Sequence, residues 1–484
     1  MQSLKDQSIS LKFKQPLFLG GLIIISLLVA FGIAQLGIAF GVVFILLLLA
    51  IPLFLISLLN PQNGFLILTV YGYFLFLIGR LSPVDIPTGI GIEVVSSILF
   101  VGLLVKEFKV VGDRWRLFKN PVTYLLLVSE TYNLVQGANP NSVSIAGWIV
   151  SLRGIVFTLI LYFIVIKVFT DFNYVKRFTQ LWLFLAVLAG LYGIYQEIFG
   201  YSDFEWRAIY ANPKTFNLIS VWSGIRKFSF LSDVAAFGLL MAFGGIFTTI
   251  MILGPYKPHI KVVLLICTLI MFAGMTYSGT RSATAMIPVG IVFYILLSLN
   301  NKVTIVFLGV SVIIFCAILF GPFYSPSIQR LKSTFSPSED PSMQVRDRNR
   351  TAIQPYIYSH PIGGGVFTTN DIGHVYSPGH RLAGFQTDSG YLKTALEKGW
   401  IGLIIQLALY SVIMAIGISN YFKVRDPEIK IYYAAYMASF FALTVANFAQ
   451  ATTGQKPISL IFISIHALFP NMIKFDKPQI RARG

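Results

Sequence analysis

Residues 303–320 read VTIVFLGVSVIIFCAILF, an apolar run without one charged side chain. As a helix it rises about 27 Å, at ~1.5 Å per residue, close to the ~30 Å hydrocarbon layer of a bilayer. Backbone groups there have no water to pair with, so only helices and closed barrels cross. The run lacks the alternation of a barrel strand, and it predicts a membrane-spanning helix. Working outward, comparable stretches recur at 17–34, 38–59, 64–79, 92–106, 121–136, 147–168, 178–198, 229–252, 261–278, 283–299, 390–420, 431–450 and 456–470. The stretch 121–136 carries Glu130 in its interior. The expectation is an all-α polytopic membrane protein of about 12 to 14 transmembrane helices, forming a single membrane domain over residues 1–484.

Composition agrees. The chain is 56% hydrophobic and only 12% charged, with a mean hydropathy of +0.74, which excludes an ordinary soluble domain. A net charge of +17 raises the question of nucleic acid. Most Lys and Arg, however, sit in short loops beside helix ends, where they signal topology, so no nucleic-acid partner is expected. Cys267 and Cys316 lie inside apolar helices and make no disulfide framework. Lys5, Lys12 and Lys14 before Leu17 resemble the start of a signal peptide. No small-residue cleavage site precedes the next span, so the segment reads as a first anchor.

With the N-terminus in the cytoplasm, the basic loops 106–119, 167–177, 257–261 and 423–430 and the basic tail 472–484 all fall inside. The loops 199–228, 279–282, 321–388 and 451–455 fall outside. This pattern obeys the positive-inside rule, and it would fail downstream if 121–136 did not span. Both termini are thus expected in the cytoplasm. Topology does not ask for the basic residues that remain outside: Arg207, Lys214, Arg226, Lys227, Arg281 and those of the large loop, with Arg153 near the external end of its span. Such arginines either snorkel to headgroups or serve function.

The large external loop, 321–388, holds three of the five histidines. After Ser/Pro-rich turns, residues 343–359 take a helical period. Val345, Ala352, Ile353, Tyr356 and Ile357 share one arc, Arg346 and Arg350 edge it on one side, and Arg348 on the other. Pro355 should kink the helix. This is an interfacial amphipathic helix, serving either as a membrane-surface anchor or as a clamp for a lipid-borne phosphate, which guanidinium groups bind bidentately. His360-Pro361-Ile362-Gly363-Gly364-Gly365 follows, a tight turn or an anion-holding nest. His374 and His380 come next, in a spacing that makes no convincing metal site, and no metal or cofactor is expected. Asp388 stands where the chain re-enters the membrane, placed to cap a helix or to act as a general base.

These residues resemble the O-antigen ligase and polymerase superfamily. Arg346 followed by His360-Pro-Ile-Gly-Gly-Gly is similar to its "R…HP(I/L)xGxG" segment. Asp388-Ser-Gly-Tyr-Leu with Glu397-Lys-Gly-Trp-Ile-Gly-Leu is similar to its re-entry motif. Ser278-Gly-Thr-Arg281-Ser-Ala resembles its "SGSRGA" turn. Gly224-Ile-Arg226-Lys-Phe-Ser-Phe-Leu-Ser-Asp233 resembles its "R..G.F.(D/N)P" element, with Val234 in place of Pro. The resemblance runs from about Gly147 to Leu468. It implies a GT-C-type glycosyltransferase at the outer face of the bacterial inner membrane, needing no nucleotide sugar or metal. The donor it implies is an undecaprenyl-diphosphate-linked glycan, and the acceptor a glycan or lipid A-core hydroxyl; membrane lipids complete the surroundings.

In that frame Arg226, Arg281, Arg346, Arg350 and Arg153 are the candidate diphosphate ligands, stabilising the charge of the departing lipid diphosphate. Asp388, His360, His374 and His380 are the candidate catalytic groups. The family's ligases commonly carry His where Asp388 stands, so the Asp-Ser-Gly-Tyr version favours a surface-polysaccharide polymerase over a ligase. A transporter of lipid-linked sugars is a further alternative, but mid-span charges are few and no internal repeat is evident.

Overall fold

The structure, a computed structural model, describes residues 55–82, 88–107, 118–221, 224–299, 301–322 and 341–476, with scattered positions in 20–35 and at 329 and 332. The expected spans 17–34 and 38–59 therefore lie essentially outside the described residues, as do most of 323–340 and the tail from 477. In chain order the helices are α1 (Pro61–Leu81), α2 (Gly89–Glu107), α3 (Pro121–Val135), α4 (Ala146–Val168), α5 (Phe172–Phe199), α6 (Asp203–Tyr210) and α7 (Pro213–Ile219). A minimal antiparallel hairpin follows, β1 (Ser220–Val221) on β2 (Gly224–Ile225), with Ser220 opposite Ile225. Then come α8 (Val234–Ile252), α9 (Pro258–Ser278), α10 (Arg281–Leu297), α11 (Lys302–Phe320), α12 (Pro341–Ser359), α13 (Asn370–Tyr376), α14 (Gly390–Lys423), α15 (Pro427–Ala446) and α16 (Ile458–Asn471). Among the described residues, nine helices are long and apolar enough to cross a membrane: α1, α2, α4, α5, α8, α9, α14, α15 and α16. The protein is a polytopic all-α membrane protein.

Local chemistry sets the helix ends. Asn60, Asn120, Asp171, Asp233, Asn301 and Asp426 each accept a first-turn backbone N–H with the side chain, satisfying donors that a helix start leaves open. Pro61, Pro121, Pro258 and Pro427 open their helices, where the missing N–H costs nothing. The expected span 229–252 begins at Val234 because Asp233 caps it, taking the N–H groups of Ala235 and Ala236 at 2.8 and 3.0 Å.

Two helices form the centre. In α8, 89% of the most apolar window is buried, and in α15 83%, against 22% in the peripheral α9. Small residues explain this. A Cβ added to Gly238, Gly244 or Gly245 of α8 would run into Ser278, Met271 or Phe272 of α9. Without a hydrophobic drive between helices in lipid, such close backbone approach supplies the dispersion contact that holds them together. The exposed Val262, Val263, Leu265, Ile266 and Leu269 of α9 form the outward face.

Candidate active site

One end of the bundle gathers most of the arginines singled out in the sequence. Arg226 directly follows β2. Its loop is anchored from below by Arg80 of α1, which donates to the carbonyls of Ser229 and Ser232 at 3.4 and 3.0 Å and also to that of Leu231. Gln196 of α5 adds a two-way amide pair with Ser229, at 2.8 and 3.2 Å. Tyr201 donates to the Arg226 carbonyl at 2.6 Å. So held, Arg226 donates from Nε to the Ser278 carbonyl at 2.8 Å and from Nη2 to Thr280 Oγ1 at 3.2 Å. It thereby fixes the α9–α10 turn, where Gly279 adopts φ +58°; a glycine meets that left-handed requirement without strain.

Arg281 emerges from this turn at the start of α10. It lies near enough to Arg346 of α12 for the two like charges to repel. Arg346 Nε is 3.4 Å from Asp388 Oδ2. One turn further along α12, Arg350 donates to the Phe448 carbonyl at 3.2 Å and lies over the Phe448 ring at 4.6 Å. The α15–α16 connection closes the group: Gln450 accepts from Ser282 at 3.0 Å, and Asn447 accepts at its carbonyl from Gly390 N at 2.9 Å and Ser389 Oγ at 3.2 Å. Arg226, Arg281, Arg346, Arg350 and Asp388 thus sit together, drawn from four separate chain segments. The capping role offered to Asp388 belongs to its neighbour: Ser389 accepts the Leu392 N–H. The carboxylate of Asp388 is left to face Arg346.

Arg153 is not part of this group. It pairs with Glu93 of α2 at 2.6 Å and is exposed. His360 is held elsewhere as well. Its ring stacks on Tyr356 at 3.9 Å, and Nδ1 contacts the Tyr356 carbonyl at 2.9 Å. Along α12 this is about 21 Å from Arg346, at ~1.5 Å per residue. His380 lies against Gly364 beside the Tyr356 hydroxyl, and its Nδ1 accepts from Leu382 N at 3.1 Å. Burial pushes its pKa below the usual imidazole value, against a backbone hydrogen bond to Asn141 that raises it. His374 is exposed on α13. Among the described residues no group of three or more His, Cys, Asp or Glu is placed to hold a metal ion.

The amphipathic helix forms and runs on through Pro355 to Ser359. Part of its apolar arc is covered by protein: Ile353 and Tyr356 bury against Leu382 and Leu396 and Ile357 packs beside them, while Ala352 is exposed. The three glycines that follow make close backbone contacts with α14. Gly364 N and Gly365 N donate to the carbonyls of Leu396 and Glu397 at 2.8 and 2.9 Å. A Cβ on Gly399, whose φ is +71°, would strike the Pro361 carbonyl. Asn139 and Asn141 grip the Gly363 carbonyl from the α3–α4 connection at 3.2 and 2.9 Å. Glu397, only 5% exposed, accepts from the Thr369 hydroxyl at 2.5 Å. The re-entry motif therefore builds the scaffold that seats α12. Asn139, Asn141, Asn447 and Gln450 carry no sequence signal of this; they are isolated amides in loops.

Residues 266–407 match the family model described as O-antigen ligase. No curated protein matches the chain. The matched stretch contains Arg281, Arg346, Arg350, Asp388, Glu397 and Gly399, while Arg226 and the Asn447–Gln450 connection lie outside it. A polytopic helical membrane protein with Arg346 paired to Asp388 at one end of the bundle is thus similar, over residues 266–407, to the family described as O-antigen ligase.

Proposed function

We propose that the protein transfers a glycan from undecaprenyl diphosphate to a sugar hydroxyl at the outer face of a bacterial inner membrane, acting as a surface-polysaccharide polymerase. The observation that carries this reading is the Arg346–Asp388 pair beside Arg281 and Arg350. Guanidinium groups bind diphosphate oxygens in forked geometry. In the reaction the anomeric C–O bond breaks, and its electron pair leaves with the lipid diphosphate. Arg281, Arg346 and Arg350 stabilise that growing charge, as preorganised cations do in a site of low dielectric. The acceptor oxygen bonds to the anomeric carbon and gives its proton to Asp388. Arg226 positions Arg281 through the Ser278–Thr280 turn. The separation of His360 from Arg346 along α12 favours Asp388 as the base.

The family description favours a second reading, ligation of the glycan to a lipid A core. A deletion strain's surface glycan, run on a gel, separates the two. A core bearing a single repeat supports the polymerase, and loss of the entire ladder from the core supports the ligase. Purified Asp388→Asn with lipid-linked donor tests the chemistry itself. It should be folded, bind donor and fail to turn over.

A further inference from the structure

Below the α15–α16 connection, α3, α4, α14 and α16 surround a cavity of about 350 Å³ that shares no side chain with the arginine cluster. This is at the low end of the ~300–1,000 Å³ typical of small-molecule sites. Its walls are polar in a particular way. Gln406 donates to Tyr410 Oη at 3.0 Å, but its Oε1 is buried and has no partner. His466 Nδ1 contacts the Phe462 carbonyl at 2.8 Å and so carries the proton, which makes Nε2 an acceptor. Glu130 takes one hydrogen bond, from Asn133 at 3.0 Å. Lys398 is attracted by Glu130, yet among the described residues its ammonium makes no ion pair with it.

Buried polar groups left open this way are costly and ask for a partner. An ionised phosphate offers mainly acceptors: it would serve Lys398 and Lys456, whose ammonium already donates to Ser459 at 2.8 Å, but leave Gln406 and His466 unpaired and be repelled by Glu130. An acyl chain serves none of them. A sugar hydroxyl both donates and accepts, and a ring presents several at once. We propose that this cavity binds a saccharide unit of mono- or disaccharide size, with Glu130, Gln406 and His466 accepting from its hydroxyls and Lys398 donating to them. The inference deepens the glycan-transfer reading, which supplies the ligand class, but it concerns a second place on the molecule.

Gly154 provides a clean test. It lines the cavity, and a Cβ there meets nothing within 4 Å. Gly154→Leu therefore adds bulk at the lining with its Cβ clear of other atoms, at a position where leucine also favours the helix. The full chain in phospholipid nanodiscs, free of sugar-headed detergent, is probed by saturation-transfer difference NMR with methyl glycosides of glucose, galactose, mannose and N-acetylglucosamine. Wild type should transfer saturation to ring protons of at least one. Gly154→Leu and Lys398→Met should lose that signal, and Arg346→Ala should keep it. No signal from any glycoside with wild type overturns the proposal, as does a signal that survives Gly154→Leu. So does binding of inorganic phosphate alone, read from ³¹P line broadening that Lys398→Met abolishes. Turnover of lipid-linked donor is measured separately. Absence of a sugar signal from wild type that still turns over donor defeats only this inference, and full turnover by Asp388→Asn defeats only the assignment of the reacting groups.

Discussion

Asp388→Asn should move binding and turnover in opposite directions. In the structure Asp388 occupies Arg346 at 3.4 Å, and the two side chains are 32% and 37% exposed. A bare Coulomb figure at an effective dielectric of about 20 would be ~5 kcal/mol. Solvent screening and side-chain entropy reduce pairs about one-third exposed, like this one, to about 0.5–1 kcal/mol. A diphosphate that takes over Arg346 must displace the carboxylate and forgo that amount. The amide of Asn competes far less, so donor affinity should rise roughly two- to fivefold. Turnover should fall by about 10² to 10⁴, the usual worth of a general base. Affinity is read by calorimetric titration of a short-chain polyprenyl diphosphate into nanodisc-embedded protein, and turnover with lipid-linked donor. Unchanged or weaker diphosphate binding by Asp388→Asn would refute competition for Arg346. Normal turnover would move the base to His374 or His380.

Arg281→Ala and Arg346→Ala should each cut transfer by about 10² to 10³ with protein level unchanged, and chelator should have no effect on wild type; a strict divalent-ion requirement would count against arginine-based charge stabilisation. Gly399→Ala places a Cβ against Pro361 at a positive φ and should destabilise the fold by about 1–3 kcal/mol or more, read as a lower thermal midpoint. His380 has a depressed folded-state pKa, so the stability tied to its neutral form is present above the unfolded value and declines as pH falls below it. Thermal scans from pH 8 to 5 should show this acid loss shrink in His380→Gln. Single cysteines at Ser336 and Lys477, in a variant lacking Cys267 and Cys316, should be labelled by an impermeant thiol reagent in spheroplasts at the first position only; the reverse pattern would invert the topology.

The helices were legible because apolar length is a local property. Every expected span from 64–79 onward coincides with a helix, including 121–136, which holds Glu130 and became α3, although α3, α10 and α11 are not among the nine described helices long and apolar enough to cross. Ends moved where a cap intervened, as at Asp233. The site was legible only in part. Arg346 and Asp388 stood in recognisable motifs, but their pairing joins α12 to the head of α14, and no periodicity encodes that. The sequence grouped Arg153 with the other external arginines because depth was all it offered; which way the side chain turned depended on Glu93, sixty residues earlier. Motif glycines at 363–365 suggested an anion nest, whereas their neighbours prove to be α14 backbone, a distinction that only tertiary contact makes.

The seating of Pro361 against Gly399 has a consequence for how the gene can vary. Ile401 N donates to the Pro361 carbonyl at 3.3 Å, so a loop residue completes a backbone bond that the break in α14 leaves open. This fastens the last turn of α12, while Arg346 at its other half must meet Asp388. The stretch from Arg346 to Pro361 then works as a ruler of fixed length. One residue inserted between Arg346 and Pro361 rotates Arg346 by about 100° around the helix, away from Asp388, and shifts it ~1.5 Å along. The same insertion N-terminal to Pro341 changes neither end of the ruler. Insertional scanning should therefore find a sharp edge in tolerance at Arg346, with activity surviving on its N-terminal side and vanishing between it and Pro361.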